Sequence, residues 1–104
     1  MNDKEPLAYA AKAAGIELRW HPDGTAYSDS RCKDYWGVWN PIADDGDALR
    51  LAVNLDIVPR VINGVAFAWR DGVCDIQEPH NGDPYAATRR AIVRAAAEIG
   101  RNMK

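Results

Sequence analysis

The chain has 104 residues, of which 47% are hydrophobic and 27% are charged, and its formal net charge is −2. A chain of this length is expected to fold as one domain over residues 1–104, to bury about 60% of its unfolded surface, and to be too apolar for intrinsic disorder. The small negative charge excludes the overall basic excess of most nucleic-acid-binding proteins, although a local basic patch stays open.

The N-terminal sequence and the spacing of the cysteines predict the localisation of the protein and the redox state of its thiols. The N-terminus has no charged-then-apolar leader, and no apolar run reaches the roughly 18 residues of a membrane helix, which predicts a cytoplasmic protein. Cys32 and Cys74 share no C-x-x-C spacing, so two free thiols are expected. A single disulfide is the alternative, and it would need an oxidising compartment.

The first predicted helix begins near Pro6 and ends at Gly15, which is suited to a left-handed helix stop. Its apolar residues recur at helical spacing: Leu7, Ala10, Ala11 and Ala14. Residues 17–20 and 25–27 then flank the turn-forming sequence His-Pro-Asp-Gly at 21–24. This pattern predicts two short strands joined by a hairpin turn or a tight loop.

A polar stretch at 28–34 predicts a loop, and the aromatic run at 35–39 predicts an irregular strand that Asn40-Pro41 ends. Asp44, Asp45 and Asp47 open a second helix, where acidic side chains favour the positive end of the helix dipole. Its apolar stripe consists of Ala48, Leu51, Ala52 and Leu55. The three acids are interpreted as helix caps, because they lack the alternating ligands and the closing Glu of a calcium loop.

Two β-rich runs at 65–69 and 73–76, joined through Asp71-Gly72, predict a second hairpin. The last helix has Asp83 as its N-cap and Pro84 at its first position. The residues predicted for its buried face are Tyr85, Thr88, Ile92, Ala95, Ala96 and Ile99. Those predicted for its exposed face are Arg89, Arg90, Arg94, Glu98 and Arg101.

This order of elements predicts an α+β fold in which a small antiparallel or mixed sheet is sandwiched by helices, in helix–sheet–helix layers. Alanines on all three helices would let them approach the sheet closely. The bulky part of the core is expected to come from Trp20, Trp36, Trp39, Phe67 and Trp69.

The sequence contains little that indicates a catalytic or metal-binding site. His21 and His80, the only histidines, share no local ligand spacing with the two cysteines, so neither zinc nor another cofactor is expected. No Ser-His-Asp arrangement or glycine-rich phosphate loop occurs. A small hydrolase or nuclease that uses either histidine with Asp23 or Glu78 remains the alternative, and it requires these groups to converge in space.

A binding function is the preferred hypothesis, because aromatic and acidic residues cluster around the predicted second helix. The candidate protein-binding residues are Tyr35, Trp36, Trp39, Asp44, Asp45 and Asp47. An arginine ridge on the last helix is the alternative site, for nucleic acid or an acidic partner. Its members are Arg89, Arg90, Arg94 and Arg101.

Two segments resemble a known family. Residues 39–53 (WNPIADDGDALRLAV) and 83–99 (DPYAATRRAIVRAAAEI) are similar to signature blocks of the phage ABA-sandwich domain family, which includes NinX-like accessory proteins. The resemblance implies a helix–sheet–helix sandwich and a phage or prophage accessory protein in the bacterial cytoplasm. It implies no reaction, cofactor or catalytic residue, and the expected partner is a host or phage protein.

Overall fold

The computed structural model describes residues 4–29, 36–70, 74–79 and 81–103. In these ranges the helices are α1 (Lys4–Ala14), α2 (Asp45–Leu55) and α3 (Pro84–Arg101). The strands are β1 (Leu18–Trp20), β2 (Ala26–Asp29), β3 (Trp36–Val38), β4 (Val58–Ile62), β5 (Val65–Arg70) and β6 (Cys74–Pro79). Two antiparallel sheets result, in the orders β1–β2–β3 and β4–β5–β6. The predicted α+β class is confirmed.

The first helix ends, and the second and third helices begin, where the sequence predicts. Asp44 caps α2 by accepting a hydrogen bond from the backbone N–H of Asp47 at 2.8 Å, and Asp83 caps α3 in the same way from Ala86 at 3.0 Å. Gly15, with φ of +72°, ends α1 in the left-handed conformation that glycine adopts at no steric cost. These ends depend on neighbours within three residues, so the local sequence suffices to predict them.

The strand β4 is an addition to the predicted elements, since the sequence pattern assigned no strand between the second predicted helix and residue 65. Asn63 and Gly64 have φ values of +51° and +79° and connect Ile62 to its pairing partner Val65. Two left-handed residues in a two-residue loop make a type I′ hairpin turn, for which Asn-Gly is the preferred sequence. The predicted Asp71-Gly72 turn lies outside the described residues, but β5 and β6 pair antiparallel as expected.

Helix α3 is the centre of the packing: it contacts α1, α2 and all three strands of the second sheet. The side chains at these contacts are small. Ala66 and Ala68 of β5 are fully buried, and so are three α3 residues spaced four apart, Ala87, Ala91 and Ala95. Because methyl groups let backbones come close, helix and sheet pack at short range.

Two of the residues predicted to be buried are not. Tyr85 is 71% exposed, because it lies two residues from Ala87 and is therefore rotated about 200° away from the buried stripe of α3. Trp69 is 46% exposed, because strand alternation puts it on the sheet face opposite Ala68. Among the other predicted core aromatics, Trp39 is buried, Trp20 and Phe67 are partly exposed, and the Trp36 side chain lies outside the described part.

Candidate functional site

The acids that open α2 have structural partners within the described residues. The two carboxylate oxygens of Asp47 accept hydrogen bonds from the backbone N–H of Asn40 at 3.0 Å and from the Arg50 guanidinium at 2.7 Å. The Asp47 side chain is only 13% exposed. Together with the cap made by Asp44, these bonds hold the segment that leads into α2. The capping interpretation of these residues is therefore supported by their geometry.

Asp45 joins the start of α2 to α3. Its carboxylate lies 2.6 Å from the Arg89 guanidinium, and the Nε of Arg89 donates to the backbone carbonyl of Ile42 at 2.8 Å. Trp39 is 6% exposed and belongs to the core, so it offers no surface for a partner. Tyr35 and the Trp36 side chain lie outside the described residues. Of the six candidate binding residues, Trp39 is thus buried and Asp44, Asp45 and Asp47 have partners within the same molecule, although Asp44 and Asp45 are exposed.

We expect the cap at α2 to contribute measurably to stability. Replacing Asp44 with alanine should lower the free energy of unfolding by about 1 kcal/mol, and Asp47→Ala by about 1–2 kcal/mol because the Asn40 N–H loses its partner. Asp45→Ala removes an exposed pair and should cost less than either. Urea titrations of the three variants test this ranking. Equal losses for all three would show that the cap geometry is not what stabilises this end of α2.

The arginine ridge of α3 is largely neutralised by acids of the same molecule. Arg90 and Arg94 both contact the Glu78 carboxylate, Arg90 at 3.2 Å, and Glu78 is only 16% exposed. Arg101 pairs with Glu98 at 3.0 Å and lies over the Tyr9 ring at 5.0 Å. With Arg89 bound to Asp45, each arginine of the ridge has an acidic partner. The pairs of Arg89, Arg90 and Arg94 fasten α3 to α2 and β6, and together with the Arg101–Glu98 pair they weaken the positive field that nucleic acid would require.

The predicted histidine groups are only partly brought together. Nδ1 of His21 lies 3.1 Å from the Asp23 carboxylate in an exposed turn between β1 and β2. The backbone N–H of Thr25 is the main cause that lowers the pKa of Asp23, so this acid is held as a carboxylate by its own turn. Glu78 is on β6 and is bound by arginines, and His80 lies outside the described residues. Within the described ranges, no three His, Cys, Asp or Glu side chains gather as metal ligands.

In the part of the chain that the structure describes, no helix packs on one face of the second sheet. In the register of β4, β5 and β6, alternate residues point away from α3 and align in three rows across the strands. We call this surface the outer face. Its rows are Val58–Trp69–Asp75, Arg60–Phe67–Gln77 and Ile62–Val65–Pro79.

A shallow apolar groove crosses the outer face. Its volume is about 280 Å³, and its lining consists of Val58, Arg60, Ile62, Phe67, Trp69 and Asp75. Trp69 is 46% exposed, and its row partner Val58 and, two rows away, Ile62 are exposed as well. A row of exposed aromatic and branched side chains with a few charges at its rim is typical of a protein-interaction surface.

The sequence contains a feature that indicates this surface, although the predicted binding residues did not include it. In Val65-Ala-Phe-Ala-Trp69 small and large residues alternate strictly, so one face of β5 is formed by methyl groups and the other by larger side chains, two of them aromatic. The helices of this chain are alanine-rich, and a close helix–sheet contact selects the methyl face. The Asn63-Gly64 turn would also have revealed β4, and with it the width of the face.

Similarity to known proteins gives no further information about the candidate site. Among the described residues no helix is both long and apolar enough to cross a membrane. Comparison of the chain with protein-family models, with curated proteins and with solved structures found no match.

Proposed function

We propose that this protein is a non-enzymatic binding module that contacts another protein through the outer face of its second sheet. The observation that carries the proposal is the exposure of Trp69 within an apolar sheet face that no helix covers among the described residues. An aromatic anchor of this kind loses contact with water only when a partner covers it, and the hydrophobic effect then favours association.

The composition of the outer face suits a protein partner. Trp and Arg are the residue types that most often dominate binding energy at protein interfaces, and Trp69 and Arg60 lie in adjacent rows. Val58 and Ile62 provide aliphatic surface on either side of Arg60. The outer face replaces the segment around α2 as the proposed interface, because Trp39 is buried and the acids of that segment already have partners in the same molecule.

The biological setting of this proposal rests on the resemblance of residues 39–53 and 83–99 to the phage ABA-sandwich domain family. On that basis the protein acts as a phage or prophage accessory protein in the cytoplasm of a bacterial host, and its partner is a host or phage protein. The absence of any implied reaction in that family is consistent with a binding role.

Affinity purification of the tagged protein from a bacterial host, at low and then moderate salt, tests the proposal. We expect a specific partner to be recovered by the wild type and lost in Trp69→Ala, since an interface anchor of this kind contributes about 2 kcal/mol or more. Tyr85→Ala is the matched control, because Tyr85 is an exposed aromatic residue on α3 and not on the outer face.

Equal recovery by the wild type, Trp69→Ala and Tyr85→Ala would contradict the outer face as the interface. Recovery of nucleic acid alone, lost as the salt concentration rises, would instead favour the arginine ridge of α3.

A further inference from the structure

The outer face carries one positive and one negative side chain on opposite edge strands. Arg60 lies in the middle of β4, and Asp75 lies near the start of β6, one row away and two strands across. Neither forms an ion pair with another described residue. The face therefore presents both charges to whatever covers it.

The edge of β4 is less suited to association than its face. In a hairpin closed by a two-residue turn, the pair Ile62–Val65 next to the turn is hydrogen-bonded, and the pairs alternate from there. Pro59 then falls in a non-hydrogen-bonded pair, so the N–H that proline lacks is one that would point outward from the sheet. A proline at this place blunts the edge against strand addition.

We propose that a second copy of this chain covers the outer face, in a two-fold dimer whose axis runs along the strands between the two sheets. This inference rests on the proposed function, because it names an occupant of the same surface. Rotation about such an axis puts β4 of one copy opposite β6 of the other, with the two Phe67 rings near the axis. Arg60 of each copy then lies about one row from Asp75 of the other.

The distances allow both charges to pair across the dimer. Packed sheets are about 10 Å apart and one row along a strand is about 7 Å, so the relevant Cα atoms would be about 12 Å apart. An arginine and an aspartate side chain together span most of that separation. Because the arrangement is isologous, each dimer contains two Arg60–Asp75 pairs around an apolar centre.

The charges also select among the possible two-fold axes. An axis across the strands, through the middle row, would place β4 over β4 and bring the two Arg60 side chains together, with Asp75 two strands away from both. Like charges facing each other across an interface are costly. Of these two axes, only the one along the strands places opposite charges together in a face-to-face dimer.

The size of the face sets the expected affinity. Three strands of five or six residues cover about 15 Å by about 20 Å, so two faces enclose about 600 Å² of flat area. This area is below that of most specific interfaces and is in the range of weak, transient ones. We therefore expect a dimer with a dissociation constant in the micromolar range, with which any other partner of the outer face must compete.

Sedimentation velocity over a concentration series from about 1 to about 500 µM tests the dimer. The wild type and the control Tyr85→Ala should dimerise, and Trp69→Ala should remain monomeric. Arg60→Asp and Asp75→Arg should each weaken the dimer by about tenfold or more, because each brings like charges together. Mixing these two variants should restore a dimer, since every charge then meets its opposite on the other chain.

A wild type that stays monomeric at the highest concentration would overturn the proposal. So would a dimer that is insensitive to Trp69→Ala, or a mixture of the charge variants that fails to associate. Circular dichroism of each variant checks that it is folded. A monomeric wild type that captures another protein in a Trp69-dependent way would contradict the dimer and support the proposed function. A dimer without such capture would support the dimer and contradict the proposed contact with another protein.

Discussion

Replacing Gly100 with alanine should strongly destabilise the protein, because this glycine lies directly against the backbone of α1. A Cβ atom at Gly100 would overlap the backbone carbonyl oxygen of Tyr9 and lie 2.7 Å from its carbonyl carbon. No side chain can rotate away from a clash with backbone atoms, so the two helices must separate. Overpacking of this kind costs about 3 kcal/mol or more when the surroundings cannot yield.

Chemical denaturation of the wild type and Gly100→Ala measures this loss. Gly46→Ala is the matched control, because the Cβ there would meet only the ends of the Asp44 and Arg50 side chains, at 3.2 and 3.3 Å. The Asp44 oxygen that this Cβ meets is the one that caps α2 and must shift by a few tenths of an ångström, and the higher helix propensity of alanine offsets part of that cost, so Gly46→Ala should cost about 1 kcal/mol or less. If the two substitutions had the same effect, the close approach of α1 and α3 would not exist in solution.

The second large effect separates two tryptophans that look alike in the sequence. Trp39→Ala should lower the free energy of unfolding by about 3–5 kcal/mol, since this side chain is buried in the core and its loss leaves a cavity. The backbone N–H of Trp39 also donates to the carbonyl of Ala26 at 2.9 Å, which links β2 to the core. The empty space would therefore lie where the first sheet meets the helices.

Trp69→Ala should change stability by less than about 1 kcal/mol, because Trp69 is half exposed and stands on the face that α3 does not cover. The same substitution should abolish association through the outer face. Thermal melts and urea titrations of both variants make the comparison. A loss of stability in Trp69→Ala as large as in Trp39→Ala would mean that the outer face is part of the folding core and not a binding surface.

The ion pairs of α3 could not be predicted from the sequence pattern. Helical periodicity predicts that Arg90 and Arg94 lie on the exposed face of α3. Their common partner Glu78 is 12 and 16 residues away and belongs to a strand whose register follows from the packing of the sheet. A ridge of arginines read from the sequence therefore looked like a basic surface, whereas in the fold it is a set of paired charges.

The sequence by itself determined the end of α1, the starts of α2 and α3, and the first hairpin. Asp44, Asp83 and Gly15 act on backbone groups within three or four residues, so their effect does not depend on the rest of the molecule. The alternation of small and large residues distinguishes the two faces of β5 in the sequence, but the tertiary structure decided which of them is buried. Both faces are apolar, and the contact with the alanine stripe of α3 selects the methyl groups and leaves Phe67 and Trp69 on the outside.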